Sequence, residues 1–201
     1  MYTIKQYQGL SGFAKISESD HDTFGAGHAS TSLSAAIGLA QARNAKQENH
    51  SVVCVLGDGG LSGGMAYEAL NNIKDLKGNF ICILNDNDMS IAKPVGAMRT
   101  YLAKLFTGKM YFSFRETVKL IISSFSKRFS KKAGQAEDFF RSAVTGGTLF
   151  NSLGFYYVGP IDGHDIETLV SVLKNAKNSN FNGPIMIHIK TEKGKGYQFA
   201  E

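Results

Sequence analysis

The sequence predicts an α/β fold, in which a parallel sheet has helices on both faces. The apolar runs at 52–56 and 80–84 are continuous rather than alternating, which is typical of strands covered on both sides. Further strand-like apolar runs occur at 155–158 and 185–189. Helical patterns lie between these runs, and an alternation of strand and helix builds parallel sheets.

Three helices are predicted from capping residues and apolar spacing. The first begins after Ser30 or Thr31, the second near Ser62, and the third after Asp165. Their apolar faces are Leu33, Ala36, Ile37 and Ala40; Ala66, Leu70 and Ile73; and Ile166, Leu169, Val170 and Leu173. A further helical stretch is predicted at 101–130, and an exposed loop at 131–135 follows it.

Size and composition are those of one globular domain. A chain of 201 residues suffices for a single domain with a core, and we treat residues 1–201 as one unit. The hydrophobic content of 43% and the charged content of 19% are typical of soluble proteins. No apolar run approaches the roughly 18 residues of a membrane helix. The first residues lack the apolar stretch of a signal peptide, so we expect a cytoplasmic protein that binds no membrane.

Cysteine and histidine are mostly assigned structural roles. Cys54 and Cys82 lie inside strand-like runs, lack the spacing of a metal site, and are expected to be small buried residues without a disulfide. His188 lies within a strand and is expected in the core or at an edge. His164 is interpreted as a turn residue before a helix. For His28, in a glycine-containing loop, contact with a cofactor or substrate and absence of such contact are equally compatible with the sequence.

The positive charge of the chain is concentrated in one stretch. Eleven Lys or Arg residues and only three acidic residues lie between Lys93 and Arg141, although the net charge is +5. We predict that residues 93–142 form a basic, solvated and mobile insert. Nucleic-acid binding is the alternative, but the stretch contains no recognisable nucleic-acid motif, so we expect no such partner.

Polar clusters follow the first two strands at the points where they end. The strand 52–56 leads into Gly57-Asp58-Gly59-Gly60, and the strand 80–84 leads into Asn85-Asp86-Asn87-Asp88. Asp58 and Asn87 are 29 residues apart, which is one strand–helix–strand step. Ligands of parallel α/β sheets bind beyond the carboxyl ends of the strands, so we expect both side chains at one ligand-binding edge.

The residue types at this edge favour a magnesium-bound diphosphate. Asp58 offers an anionic oxygen and Asn87 a neutral one, and no histidine or cysteine joins them. Such oxygen ligands suit Mg²⁺, which keeps positions open for phosphate oxygens and water. Gly59 and Gly60 allow the backbone to approach an anion, and the following helix, predicted to begin near Ser62, directs its first N–H groups there.

The paired motifs resemble the thiamine diphosphate signature and, more specifically, the 1-deoxy-D-xylulose-5-phosphate synthase family. The matching segments follow the family's order along nearly the whole chain. They are residues 9–13, 25–32, 57–59, 64–71, 83–91, 147–150, 159–165 and 193–197. The resemblance implies a thiamine diphosphate-binding fold and two cofactors, thiamine diphosphate and Mg²⁺.

The same resemblance implies roles for individual residues. The side chains of Asp58 and Asn87 would bind magnesium, with the backbone carbonyl of Met89 as a third ligand. The positions implied in cofactor binding are Gly27, His28, Ala29, Gly59, Gly60, Asn87 and Tyr197. Ala29 stands where many members have serine, which leaves only backbone contacts there. We find no residue to which a catalytic acid–base role can be assigned.

The reaction implied for a complete enzyme is the condensation of pyruvate with D-glyceraldehyde 3-phosphate, with loss of CO₂, in the synthesis of isoprenoid, thiamine and pyridoxal precursors. Family members are several times longer, so we expect this chain to be shortened at both ends and inactive alone. A pyrimidine-binding domain or second chain would complete the site, and a homodimer is the implied assembly. The alternatives are a subunit of another thiamine diphosphate enzyme, of the transketolase or ketoacid dehydrogenase type, and a non-catalytic cofactor-binding remnant.

Overall fold

The computed structural model of the chain describes residues 2–20, 22–87, 96–97, 100–102 and 148–199. Outside these residues lie the whole of the predicted loop 131–135 and almost all of the predicted basic insert 93–142 and of the predicted helix 101–130. Met89 also lies outside them, so the structure gives no position for the proposed third magnesium ligand.

Four parallel strands form a single sheet, which confirms the predicted fold class. They are β1 (Val52–Gly57), β2 (Phe80–Asp86), β3 (Tyr156–Asp162) and β4 (Pro184–Lys190), in the spatial order β1-β2-β4-β3. Each of the four predicted strands is present, and each extends beyond its predicted carboxyl end. The extensions matter because they carry the strands directly into the polar clusters.

Helices cover both faces of the sheet, as predicted. They are α1 (Ser32–Ala45), α2 (Asp58–Leu61), α3 (Gly64–Asn71), α4 (Thr148–Ser152) and α5 (Ile166–Lys177). The larger core cluster lies on the face covered by α1 and α3, and includes Leu33, Ala40, Leu70, Phe80, Leu84, Phe150 and Met186. The smaller cluster lies under α5, and includes Ile81, Ile161, Val172, Ala176, Ile185 and Ile187.

Of the predicted helix caps, only that of α5 is confirmed as a hydrogen bond. The Asp165 carboxylate accepts from the backbone N–H of Thr168 at 3.1 Å. Thr31 precedes α1, but its side chain does not cap the helix; instead Thr31 Oγ1 donates to the carbonyl oxygen of His28 at 3.2 Å. The cap of α1 is unused because Thr31 already has helical backbone angles, and these turn its side chain away from the first amides.

The second predicted helix begins near Ser62, as expected, but Ser62 does not open it. A short unpredicted helix, α2, follows β1 directly, and Ser62 Oγ donates back to the carbonyl oxygen of Gly59 at 2.7 Å. The main helix α3 begins only at Gly64, with Gly63 in extended conformation before it. Ser62 therefore closes α2 instead of opening α3.

The predicted apolar face of α5 is also partly wrong. Ile166 is 63% exposed and Val170 is 42% exposed, whereas Val172 and Ala176 are buried. Leu169 belongs both to the predicted apolar face and to the face that packs against the sheet, which is formed by residues 169, 172, 173 and 176. Both faces have helical spacing, so only the packing against the sheet distinguishes them.

Both cysteines are free and buried, as predicted. Cys54 and Cys82 are register partners on the neighbouring strands β1 and β2. The Cys82 thiol donates a hydrogen bond to the Cys54 sulfur, and this bond together with burial raises the pKa of the Cys82 thiol, which keeps it protonated. Within the described ranges no helix is long and apolar enough to cross a bilayer.

Candidate functional site

The candidate site lies where β1 and β2 end side by side. The two strands are parallel neighbours, and Gly57 at the end of β1 is paired with Asn85 in β2. Asp58 is the first residue of α2, immediately after β1, and Asn87 follows the last residue of β2. The predicted meeting of the two polar clusters at one edge of the sheet is therefore present, while their ligand roles stay predictions.

The half-buried carboxylate of Asp58 is the electrostatic centre of this edge. Burial, followed by the negative charge of Asp86, raises the pKa of Asp58. Backbone N–H groups of Gly59, Asp58 itself and Asn87 hydrogen-bond the carboxylate and partly offset this increase. The contribution from the Asn87 amide shows that the carboxylate reaches the end of the neighbouring strand.

A serine hydroxyl joins the glycine turn after β1 to the loop that precedes α1. Ser30 Oγ donates to the carbonyl oxygen of Gly60 at 2.7 Å. A Cβ atom added at Gly63 would collide with the Ser30 hydroxyl, so glycine is required there for close approach. The predicted cofactor-binding loop Gly27-His28-Ala29 is exposed and lies immediately before Ser30. The structure thus links this loop to the Gly59-Gly60 turn.

Tyr197 lies on the loop that follows β4, next to the site in the order of the sheet. Thr191, at the start of this loop, donates from Oγ1 to Asn85 Oδ1 at 2.6 Å, so the loop is attached to the end of β2. Tyr197 itself is 65% exposed, and its ring packs edge-on against Phe199 at a centroid distance of 5.6 Å. The recorded contacts of Tyr197 are local, and they do not bring it to Asp58.

The donor set fits a magnesium-bound diphosphate better than a transition-metal site. In the part of the chain that the structure describes, no three His, Cys, Asp or Glu side chains form a metal-binding group. Asp58 and Asn87 offer oxygen atoms only, and the proximity of Asp86 leaves an excess of negative charge that a divalent cation would relieve. Phosphate oxygens and water would complete the octahedral coordination that Mg²⁺ requires.

Sequence reasoning missed the side chains beneath the site. Asp86 is 4% exposed and lies within hydrogen-bonding distance of His188. His188 is fully buried, as expected for a core residue, and it also contacts Tyr157. The available signal was a histidine in the otherwise apolar run Ile185–Ile189, because a buried histidine needs polar partners.

His164 lies in the turn before α5, as interpreted from the sequence. Its backbone N–H donates to Asp162 Oδ1 at 2.9 Å, and its Nε2 accepts from the backbone N–H of Glu192 at 2.8 Å. The imidazole therefore connects the loop after β3 to the loop after β4.

Comparison with known proteins adds a family and a fold. The sequence family described as 1-deoxy-D-xylulose-5-phosphate synthase matches residues 1–191. Among solved structures, the chain is similar to a transketolase from Campylobacter jejuni subsp. jejuni, with a TM-score of 0.61 and 24% sequence identity. The match covers 97% of this chain and 25% of that one, so this chain spans a quarter of the transketolase's length. At this identity the structural likeness shows the fold alone.

Proposed function

This chain belongs to the 1-deoxy-D-xylulose-5-phosphate synthase family, and from that membership we propose that it holds the diphosphate and Mg²⁺ of thiamine diphosphate. Members of this family depend on thiamine diphosphate. The observation that carries the proposal is the half-buried Asp58 carboxylate, which lies at the backbone N–H of Asn87 between the ends of two neighbouring strands. A magnesium ion bound there would reach both residues.

Three parts of the chain have separate tasks in this proposal. Asp58 and Asn87 would hold Mg²⁺, with the backbone carbonyl of Met89 as a further ligand. The backbone of Gly59 and Gly60 would lie against the diphosphate, and the loop 27–29, joined to this turn through Ser30, would also contact the cofactor. Tyr197 would contact the cofactor from the loop after β4, where its ring is 65% exposed.

The reaction proposed for the assembled enzyme is the condensation of pyruvate and D-glyceraldehyde 3-phosphate with release of CO₂. When bound, thiamine diphosphate supplies the nucleophilic carbon for this chemistry, and the protein contributes binding and orientation. In the part of the chain that the structure describes, we assign no acid–base residue. A domain that binds the pyrimidine ring, on this polypeptide or on a second one, would complete the site, and the assembly would be a homodimer.

Calorimetric titration with thiamine diphosphate and Mg²⁺ tests the anchoring role. Asp58→Ala should weaken binding at least about tenfold, since loss of outer partners of a metal site alone typically costs about 10–100-fold. Asp75→Ala is the matched control, because it removes an equal charge from an exposed turn between α3 and β2. Equal affinity of the native chain and Asp58→Ala would contradict the proposal.

The reaction itself is tested by supplying the remaining domains of a family member and measuring CO₂ release. Pyruvate with glyceraldehyde 3-phosphate should release CO₂, and the Asp58→Ala variant should not. Turnover of ketose donors instead would favour the transketolase-type alternative, for which the structural likeness is the specific support. Cofactor binding without any turnover would favour a non-catalytic binding domain.

A further inference from the structure

A chain of three buried polar side chains runs beneath the candidate site, across three strands of the sheet. The Tyr157 hydroxyl on β3 lies 2.7 Å from Nδ1 of His188 on β4. Nε2 of His188 lies 3.3 Å from Oδ2 of Asp86 at the end of β2. All three residues are at most 9% exposed. Asp86 directly precedes Asn87, so the chain ends one residue from a proposed magnesium ligand.

This chain lies in an apolar environment, where polar groups are costly unless they are satisfied. The ring of Tyr157 stacks on Phe150 with a centroid distance of 5.6 Å and an interplanar angle of 1°. His188 follows Ile187, and its neighbour in register is the fully buried Leu84. Packing alone would be served better by apolar side chains, so the retained polar path indicates a purpose other than filling the core.

The direction of the hydrogen bonds follows from the chemistry of the two ends. A carboxylate can only accept, so we assign the single ring proton of His188 to Nε2, which donates to Asp86. Nδ1 then accepts from the Tyr157 hydroxyl, a group that keeps its proton because burial raises its pKa. The path thus delivers a donor to one oxygen of Asp86 and fixes the orientation of that carboxylate.

Two more contacts hold Asp86 in place. Lys190 Nζ lies 3.7 Å from Oδ1, the oxygen that His188 does not contact. The carbonyl oxygen of Asp86 accepts from the backbone N–H of Thr191 at 2.9 Å. Both carboxylate oxygens and the main chain are engaged, and the residue is 4% exposed. Asp86 is therefore placed to act on a cation through its field, and not as a ligand.

We propose that Tyr157, His188 and Asp86 form a positioning chain that fixes the end of β2, so that Asn87 faces Asp58 and the buried charge of Asp86 strengthens cation binding from outside the coordination sphere. This inference rests on the proposed function, because it concerns the same site. The repulsion that Asp86 exerts on Asp58 supports the required proximity. None of the three side chains is expected to touch the substrate.

Binding of Mn²⁺ in the presence of inorganic pyrophosphate, followed by electron paramagnetic resonance, tests the inference without turnover. Asp86→Asn keeps the shape but removes the charge, and should lower Mn²⁺ affinity about tenfold, the lower range for outer partners of metal sites. Tyr157→Phe keeps the stacked ring but removes the donor, and should lower the affinity by less than Asp86→Asn does, because Tyr157 acts on Asp86 only through His188. In a His188→Leu background, Tyr157→Phe should have no further effect, because the path is already broken.

Ile187→Val is the matched control for general loosening of the core. It removes one methyl group from the same strand as His188, on the face that packs under α5. It should lower thermal stability but leave Mn²⁺ affinity unchanged. Rescue provides a second discriminating readout: His188→Gln retains a donor for Asp86, and should keep more of the affinity than His188→Leu.

The outcomes separate this inference from the proposed function. If the native chain binds Mn²⁺ and Asp58→Ala abolishes binding, but Asp86→Asn and Tyr157→Phe bind within about twofold of the native chain, the positioning chain is overturned alone. If Tyr157→Phe weakens binding no more than Ile187→Val does, the inference is likewise overturned. If the native chain does not bind Mn²⁺ with pyrophosphate, both proposals fail together.

Discussion

At the amino end of the sheet a buried arginine donates hydrogen bonds to neutral oxygen atoms, whereas at the carboxyl end two carboxylates lie close together. Arg43 is 3% exposed, and its guanidinium donates five hydrogen bonds of 2.8–3.0 Å. The acceptors are the carbonyl oxygens of His50, Lys77 and Asn79 and the side-chain oxygen of Asn44. All five donors of the side chain are used, so the protein satisfies this charge by itself.

At the opposite end of the sheet Lys190 lies 3.7 Å from Asp86, but the charge of Asp58 is not offset in this way. The pKa of Asp58 is raised by burial and by Asp86, which means that the fold disfavours the charged form of Asp58. The repulsion between Asp58 and Asp86 lowers the stability of the folded chain, and perturbed carboxylates of this kind are common at ligand-binding sites. The amino end therefore serves stability, while the carboxyl end is where we propose that a cation binds.

Replacement of Arg43 should give the largest effect on stability. Arg43→Met removes five hydrogen bonds of a buried guanidinium and leaves three carbonyl oxygens without this donor, so we expect a loss of about 3–5 kcal/mol in the free energy of unfolding. Urea unfolding followed by circular dichroism measures the change. Thiamine diphosphate affinity of the folded fraction should not change, because the site lies at the other end of the strands.

Arg43→Lys is the control for charge alone. A lysine keeps the positive charge but has three donors and no planar fork, so about half of the loss should remain. A loss below about 1 kcal/mol for Arg43→Met would show that the hydrogen bonds exchange easily with water. It would contradict the assignment of a stabilising role to the amino end of the sheet.

Neutralisation of Asp58 should produce opposite effects on stability and on binding. The folded-state pKa of Asp58 is above its ordinary value of 3.8, so its contribution to stability is present at low pH and is lost as the pH rises through the folded-state pKa. Asp58→Asn should therefore raise the melting temperature of the ligand-free chain at neutral pH by up to about 2 °C. Magnesium with thiamine diphosphate should raise the melting temperature of the native chain, but not that of the variant.

Asp162→Asn provides the comparison at the end of β3, where the carboxylate already accepts from the backbone N–H of His164. This variant should lower the melting temperature, because it weakens an existing hydrogen bond and relieves no repulsion. A destabilised Asp58→Asn with unimpaired ligand stabilisation would contradict the assignment of Asp58 as the cation-binding carboxylate.

Acidification should weaken cation binding earlier than it would at an ordinary carboxylate. Protons compete with the cation for Asp58, and the raised pKa moves this competition to higher pH. Below that pKa the affinity for Mn²⁺ should fall about tenfold per pH unit, whereas Asp58→Asn should bind weakly with a flatter profile. Titrations between neutral pH and pH 4, with circular dichroism to verify the fold, measure the difference.

Much of the architecture was predictable because its signals are local. Continuous apolar runs identify buried parallel strands, and the Gly-Asp-Gly and Asn-Asp-Asn clusters mark two strand ends one helix apart. The cap of α5 was also predictable, since an aspartate side chain can accept from a helix's first amides. The family resemblance then gave the expected cofactors, which composition and spacing alone limited to a metal and a diphosphate.

The remaining features depend on contacts between distant parts of the chain. β3 continues through Gly159-Pro160, a pair that normally ends a strand, because the register against β4 shifts between Val158 and Ile161. A Cβ atom at residue 159 would lie 2.5 Å from the His188 carbonyl oxygen, so only glycine allows this approach. The link between Asp86 and His188, 102 residues apart, leaves no periodic signal in the sequence.

The smallest expected effect concerns Ser30, which supports the carboxyl end from the loop before α1. Ser30 has a φ of +69°, and its hydroxyl donates to Gly60. Ser30→Ala loses the hydrogen bond but keeps the unfavourable backbone angle, so it should destabilise the chain by about 1 kcal/mol. Ser30→Gly loses the same bond but relaxes at positive φ, so its stability should be closer to that of the native chain.

Thermal unfolding distinguishes the two variants. Thiamine diphosphate affinity, in contrast, should fall in both by a similar factor, because both lose the hydroxyl that holds the glycine turn. Unequal affinities would show that the backbone angle of residue 30, and not its hydroxyl, positions the turn for the diphosphate.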